Sequence, residues 1–377
     1  MTAVTIRARC VRQSTPWGAR SDPTRQDEAW RQGRFIGLGL GCYVEGTGAG
    51  PFEGATVRID PSGTIYVATG ACAQGQGHET VFAQIAADQW GISPDQVTVV
   101  VSDTASIALG YGTIASRSAV NSSSAIALAS QELRRKVLAV AGHMLECDAD
   151  DLELRDGRAI VRGVPSLGVT LKEIAQAARP GWDHGRPPGV APGLEATAYF
   201  EPPTVTWSYA AHAAIVELDR ATGMTSVKKY VVVHDAGVLI NPKLAEGQVL
   251  DGVCQGLGGA LLEEMVYDSD AQRLTGSLAD YLIPTAADMP TIEIIHRETP
   301  SPLNALGVKG LGEGGAIAPP VVIAMPCATH CAQSDSKCLR RPCVHACSSR
   351  RWQARRSCAL DRALLCSKII WPSRQPT

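Results

Sequence analysis

From residue 34 onward the chain switches repeatedly between two apolar spacings. In "GATVRID" (54–60) and "GTIYVATG" (63–70), β-branched and apolar residues alternate with a period of two. The turn "PSG" divides them, so the pair predicts a β-hairpin. The preceding "RFIGLGLGC" (34–42) is strand-like but glycine-rich, which predicts a close backbone approach rather than a linker. In "QGQGHETVFAQIAADQWGI" (74–92) the period lengthens. Val81, Ile85 and the Phe82/Ala86 pair fall at helical spacing, and Gly91 supplies a stop. "SPDQVTVVVSDT" (93–104) returns to a strand with a loop behind it. Residues 112–145 read as a Ser-rich turn running into a long amphipathic helix. Residues 147–178 read as short strands and one more helix.

A Pro/Gly-rich loop, "RPGWDHGRPPGVAPG" (179–193), separates a second unit. That unit opens with strand-like alternation from 194 to 237, broken by a D-x-A-T-G hairpin turn at 219–223. "LINPKLAEGQVLDGVCQGLGGALLEEMVYD" (239–268) predicts a loop and then a buried helix with small residues on one face. Strands and helices mix without strict βαβ alternation, so the fold class is α+β, built as two mixed α+β subdomains.

Composition changes this picture at the ends. From Met325 onward lie seven of the twelve cysteines, ten Lys or Arg and only two acids, whereas the first 324 residues are net acidic. One globular body rarely divides itself so. Cys327, Cys331, Cys338, Cys343 and Cys347, with His330 and His345, suggest zinc, but their spacings fit no C-x2-C pairing. An abrupt Cys/Arg/Ser enrichment without periodicity reads as a tail translated out of frame. The expected organisation is a poorly ordered leader at 1–33, holding at most a short helix in "RQDEAWRQG". Two parts of one domain follow at 34–190 and 191–324, and then the aberrant tail at 325–377. The overall charge of −2 and the lack of a basic, aromatic-rich face exclude a nucleic-acid binder. No apolar run reaches membrane-span length and no secretory leader stands at the N-terminus, so a cytoplasmic location is expected.

Four segments surround one polar side chain with glycine or serine: "QGQGHET" (74–80), "GTIASRSAVNSSS" (112–124), "NPKLAEGQ" (241–248) and "VKGLGEGG" (308–315). Glycine-rich loops offer backbone N–H groups to anions and admit bulky groups close to the chain. A Gln adds a donor and an acceptor. Taken singly, Gly-Gln-Gly is an ordinary turn and a Ser run before a helix an ordinary cap.

Taken in order, these segments resemble the molybdopterin-binding large subunits of the xanthine dehydrogenase/aldehyde oxidase family, most of all the branch of aerobic carbon monoxide dehydrogenase large subunits. The resemblance runs from about Gly33 to Pro320. It rests on "GCYVEGTGAGPFEGATVRI", "GQGHETVFAQIAAD", "SRSAV", "INPKLAEGQVLDGVCQGLGGALLEE" and "TPSPLNALGVKGLGEGGAIAPP". It implies an oxidoreductase that hydroxylates an aldehyde, an N-heterocycle or carbon monoxide with oxygen from water. The implied cofactor is a molybdopterin, as the cytosine dinucleotide, carrying molybdenum. Iron–sulfur clusters and FAD would sit on partner subunits.

By the same resemblance Glu313 is the catalytic base, and a lone carboxylate among glycines, in surroundings of low polarity, suits that task. Gly75, Gln76 and Gly77 match the loop whose Gln hydrogen-bonds the metal's apical oxo group or the pterin. Gly112, Thr113, Ser116, Arg117 and Ser118 match the loop around the pterin and its phosphates, with Arg117 as a bidentate phosphate partner. Gln248 matches another pterin contact. Lys309, beside Gly310 and Gly312, either touches phosphate or is exposed. His78, His212 and His234 are expected to be structural or to stand behind the residues that touch the cofactor. Members of the family are about twice as long as this chain. The resemblance therefore implies a C-terminal fragment, served by a separately encoded N-terminal half or else surviving as a non-catalytic remnant.

Overall fold

A computed structural model describes residues 23–181 and 185–333. A short helix, α1 (Pro23–Arg31), precedes the long strand β1 (Arg34–Thr47). The expected hairpin forms from β2 (Glu53–Ile59) and β3 (Ile65–Thr69), with Ile59 opposite Ile65. Asp60 closes its turn by accepting the N–H groups of Ser62 and Thr64. Helix α2 (His78–Trp90) stops where Gly91 turns left-handed at φ 60°. Strand β4 (Val97–Val101) then pairs with β3 in parallel. The long helix α3 (Ser118–Leu145) is followed by a small meander, β5 (Leu152–Arg155), β6 (Arg158–Val161) and β7 (Val164–Thr170). Helix α4 (Leu171–Ala177) starts from a capping box between Thr170 and Glu173.

Beyond the Pro/Gly-rich loop come β8 (Leu194–Phe200), β9 (Thr206–Asp219) and β10 (Thr225–Asp235). Then follow α5 (Pro242–Leu261), β11 (Ile292–Arg297), the single turn α6 (Gly314–Ile317) and α7 (Pro319–Gln333). The class is α+β. Among the described residues no helix is long and apolar enough to cross a membrane.

The sheets do not follow the order of the two sequence units. One sheet runs β1-β9-β10-β11 and another β4-β3-β2-β8. So β1, from the first unit, pairs antiparallel with β9 of the second, Arg34 opposite Asp219. In exchange β8, from the second unit, pairs with β2, Glu53 opposite Phe200. Alternation identifies a strand and its inner face but not its partner, so this crossing was not visible in the pattern.

Each sheet has its own core. Val57, Val67, Phe82, Trp90, Ile126 and Leu133 are buried between the β2 sheet and helices α2 and α3. Val216, Val232, Val253, Leu257 and Val322 are buried between the β9–β10 sheet and helices α5 and α7. The N-terminal half of α3 differs from the expected amphipathic helix. Ser118 and every residue from 120 to 127 are buried, because α3 is enclosed by β2, β8 and α2 and its small side chains let all of them approach.

The glycines of β1 have a packing reason. Gly37, Gly39 and Gly41 lie on the face turned to α7, and a Cβ on Gly39 would stand 1.8 Å from the Val322 carbonyl oxygen. Helix α7 crosses residue 325, where the composition changes. Pro326 lies against Gly37 and Cys327 is buried beside Phe35 and Leu218. The remaining tail, 334–377, and residues 1–22 of the leader lie outside the described residues.

Candidate active site

The four glycine- and serine-rich segments, far apart in sequence, are linked one to the next. Segments 112–118 and 308–313 meet at the end of β1, Thr113 ties the first of these to Cys72, and Gly77 lies against Leu244. Odd-numbered residues of β1 face inward, and after the three glycines that row continues as Tyr43, Glu45 and Thr47. Thr47 Oγ1 accepts the Gly310 N–H at 2.9 Å and hydrogen-bonds Thr206 Oγ1 at 2.8 Å, tying the 308–313 loop to β1. The Lys309 N–H donates to the Ala236 carbonyl at 2.9 Å, and the Asn304 side chain holds both backbone groups of Val308. At Gly310 a Cβ would lie 1.9 Å from the Ser116 carbonyl oxygen, so only glycine fits there.

Lys309 is neither exposed nor available to a phosphate. It is buried, with Nζ 2.8 Å from Asp235 Oδ1 and 4.9 Å from the centre of the Tyr209 ring. Burial opposes ionisation of Asp235. The hydrogen bonds from Lys309, Thr299 and the Gly237 N–H, together with the lysine's charge, still hold it below the usual carboxylate range.

In the 112–118 segment, Ala115 and Ser116 both adopt left-handed backbone, at φ 46° and 49°. That region is costly for a residue with a Cβ, and two in succession mark a position held by its surroundings. The outcome is the placement of Ser116 Oγ. It accepts the Glu313 N–H at 3.0 Å, donates to Glu313 Oε2 at 2.7 Å and lies 3.2 Å from Glu45 Oε1. Thr113 Oγ1 accepts the Cys72 N–H and donates to the Cys72 carbonyl, each at 2.9 Å, and meets Ser118 Oγ at 3.0 Å. This joins the 112–118 segment to the 72–77 loop.

Arg117 departs from its expected role as a phosphate partner. Its side chain is fully buried, and Nη1 lies 2.7 Å from Glu53 Oε2 and donates to the Gly112 carbonyl at 2.6 Å. Nε donates to the Ala49 carbonyl and Nη2 to that of Phe52. Glu53 also accepts the N–H groups of Gly54, Tyr111 and Gly112. The guanidinium is thus spent on the frame of the loop, and neither a phosphate nor a surface ion pair is what it meets.

The 72–77 loop is open outward. Gly75 and Gly112 have φ of 94° and 93°, and a Cβ on either would meet nothing within 4 Å. Gln76 is half-buried and turned onto its own loop, Oε1 accepting the Gln74 N–H at 2.5 Å and Nε2 3.4 Å from the Cys72 carbonyl. Gly77 lies against Leu244 of α5. Asn241 caps α5 by accepting the Leu244 N–H and donates to Gln84 of α2 at 2.9 Å. Gln248 is half-buried two turns into α5.

Glu313 is exposed, and it is not alone. Sequence reasoning missed Glu45, whose carboxyl is pushed up to about 7, first by burial and then by the charge of Glu313. Its signal was present in "GCYVEGT": a charged residue at an inward position of an alternating strand. Burial, with Glu45 nearby, also raises Tyr43. The histidines are arranged in the core. His212 Nδ1 lies 2.9 Å from Tyr230 Oη, and His234 Nε2 lies 2.6 Å from His296 Nδ1. Burial holds His212 down at about 3 and His234 at about 4, so both are neutral at physiological pH. Among the described residues no group of three or more His, Cys, Asp or Glu is placed to hold a metal ion by itself.

The donor set therefore suits a bulky polar group held by backbone and hydroxyls. Open glycine backbone at 75 and 112, the half-buried amide of Gln76 and the exposed Glu313 carboxylate lie on loops joined through Thr113 and Ser116, and the cations Arg117 and Lys309 are committed elsewhere. A molybdopterin, which carries its metal on its own dithiolene and offers a heterocyclic edge, fits such a surface.

The family model of the molybdopterin cofactor-binding domain matches residues 11–290. The chain is 40% identical over 312 residues to the nicotine 6-hydroxylase large subunit of Paenarthrobacter nicotinovorans, covering 79% of this chain and 38% of that one. It is 34% identical over 322 residues to the carbon monoxide dehydrogenase large chain of Afipia carboxidovorans, covering 82% and 39%. The fold is similar to quinoline 2-oxidoreductase from Pseudomonas putida, with a TM-score of 0.76, 40% identity and coverage of 83% and 41%. It is also similar to the reconstituted CO dehydrogenase from Oligotropha carboxidovorans, with a TM-score of 0.78, 32% identity and coverage of 86% and 42%. The chain thus spans about two fifths of the length of the relatives it matches.

Proposed function

The chain belongs to the molybdopterin cofactor-binding domain family, and from that premise we propose that it forms the base-bearing part of a molybdenum hydroxylase large subunit. When bound, the molybdenum–pterin group supplies the redox chemistry by which oxygen from water reaches an electron-poor carbon. The residues of this chain do the rest. Gly75, Gly112 and Gly312 give the backbone room to approach the group, Gly77 and Gly310 let their loops pack on Leu244 and Ser116, and Gln76, Thr113, Ser118 and Gln248 offer polar contacts to the group. Ser116 fixes the Glu313 carboxylate through its 2.7 Å hydrogen bond. Glu313 receives a proton during turnover, as a general base must.

The observation that carries this reading is the chain of contacts that links the four segments, Leu244–Gly77, Thr113–Cys72, Ser116–Glu313 and Gly310–Thr47, with one exposed carboxylate, Glu313, held by Ser116. The substrate is an aldehyde, an N-heterocycle or carbon monoxide. The cofactor is the cytosine dinucleotide form, and electrons leave through separate iron–sulfur and FAD subunits in a cytoplasmic complex. Relatives described as a "large subunit", a "large chain" and a "complex subunit gamma" support a multi-subunit assembly. The part of a large subunit that this chain does not span completes the cradle.

The test is the metal content and turnover of the chain co-expressed with its neighbouring reading frames. Stoichiometric molybdenum, with Glu313→Gln keeping the metal but losing turnover, is the expected result. Turnover retained in Glu313→Gln removes the base assignment. A chain without molybdenum in every combination supports the second reading, a remnant that no longer holds the group.

A further inference from the structure

The cluster of Glu45, Ser116 and Glu313 makes more oxygen–oxygen contacts than two ionised carboxylates and one hydroxyl can satisfy. A serine hydroxyl has one proton to give and two lone pairs to fill. Ser116 Oγ has three partners: the Glu313 N–H at 3.0 Å, Glu313 Oε2 at 2.7 Å and Glu45 Oε1 at 3.2 Å. The N–H occupies one lone pair, and the hydroxyl proton goes to the nearer carboxylate oxygen. The remaining contact is weak while one hydroxyl proton is shared between two carboxylates, and it becomes a full hydrogen bond when Glu45, which also hydrogen-bonds Glu313, holds a proton and gives it to the second lone pair.

The surroundings argue the same way. Two carboxylates this close favour having one of them neutral, unless a cation intervenes. None does. On the strand β9 that flanks Glu45, Ser208 Oγ is 3.4 Å from Glu45 Oε2, and His212 is neutral and edge-on to the Tyr43 ring. Along β1, Tyr43 is a buried phenol. From the loops, Arg117 is turned to Glu53 and Lys309 to Asp235. Glu45 is the more buried of the two carboxyls and so the one from which water is more fully removed.

We propose that Glu45 is a positioning residue that carries the resting proton of this cluster and donates it to Ser116, so that Glu313 stands as the single ionised carboxylate, oriented by the Ser116 hydroxyl. The consequence for catalysis rests on Glu313 being the base; the location of the proton does not. Loss of that proton places a second negative charge beside Glu313 and leaves Ser116 with one hydroxyl proton for two carboxylates.

The experiment is an infrared pH titration of the protonated-carboxyl band in the full chain, without molybdenum. Wild type should lose one band with a midpoint of about 7. Glu45→Gln, which keeps a donor toward Ser116, should lack that band, and Glu313→Gln should move its midpoint down. In the assembled enzyme, Glu45→Gln should retain turnover and flatten the dependence of kcat on pH above neutrality, while Glu45→Leu should lower kcat with little change in KM. The assignment is overturned when the band persists in Glu45→Gln, or when its midpoint ignores Glu313→Gln. Ser116→Ala, a smaller change, gives an independent reading, because an unshifted midpoint there also overturns the coupling. An inactive assembled enzyme with the expected titration would instead count against the proposed function alone.

Discussion

Arg117 offers the sharpest test of where phosphate-like charge is and is not handled in this molecule. Its guanidinium and the Glu53 carboxylate are both fully buried, 2.7 Å apart. Four hydrogen bonds leave the arginine, and four residues, Arg117, Gly54, Tyr111 and Gly112, donate to the glutamate's oxygens, Tyr111 to both of them. The neutral substitution Glu53→Gln leaves a buried cation without its counter-charge, and Arg117→Met leaves a buried anion. Breaking such a pair from one side costs about 3–5 kcal/mol, which is a large part of a typical domain's total of about 5–15 kcal/mol. The folded-to-unfolded ratio should fall by roughly two to three and a half powers of ten, at about 1.36 kcal/mol per tenfold.

Equilibrium urea unfolding of the full chain, as a double-mutant cycle, reads this directly. Each single variant should lose most of that amount, and the double variant should lose about 1 kcal/mol or more less than the sum. If both singles stay within about 1 kcal/mol of wild type and simply add, the buried-pair account is wrong. A phosphate-binding arginine would give that pattern, with stability intact and anion affinity lost.

Two further outcomes are expected. His212 and His234 stay neutral when folded down to about 3 and about 4, whereas an unfolded histidine titrates near 6.5. Their stabilising contribution is therefore complete above that pH and is lost as pH falls below it, by at most about 1.4 kcal/mol per pH unit for each. Urea midpoints between pH 7 and 5 should show this slope reduced by roughly half in His212→Asn, and equal slopes would contradict it. Gly39→Ala should cost about 1–3 kcal/mol or more through overpacking. The reason is its 1.8 Å approach to the Val322 carbonyl, while Gly276→Ala, which meets nothing within 4 Å, should be near neutral; comparable midpoints for the two would show that α7 does not pack on the glycine face.

Local pattern carried much of the fold. The 54–70 hairpin, the helix ending at Gly91 and the turn at 219–223 are all where alternation and turn residues put them. What pattern could not carry was partnership. Nothing in β1 names β9, and nothing in "SRSAV" distinguishes an arginine facing phosphate from one closing on Glu53. The segments of the candidate site were legible because glycine in excess marks close approach, as Gly310 against Ser116 shows. Glu45 was passed over because attention stayed on the glycines around it rather than on the strand parity that turns it inward. Lys309 was misjudged for a related reason, since its counter-ion Asp235 lies 74 residues away in the chain.

The exchange of β1 and β8 between sheets has a consequence for biosynthesis. Thr47 pairs with Thr206 and Arg34 with Asp219, so β1 emerges from the ribosome far ahead of β9, its one neighbouring strand among the described residues. At about 5–20 residues per second, translation leaves that strand unpaired for roughly 10–40 s. Throughout that wait it presents the outward row of Leu38 and Val44, still 45% and 61% exposed in the finished fold. A nascent strand with an apolar outer row and no partner is a ready substrate for holdase chaperones and for mispairing with another copy. Yield of the soluble chain should therefore depend on elongation rate between codons 47 and 206 more than on any feature of the mature surface.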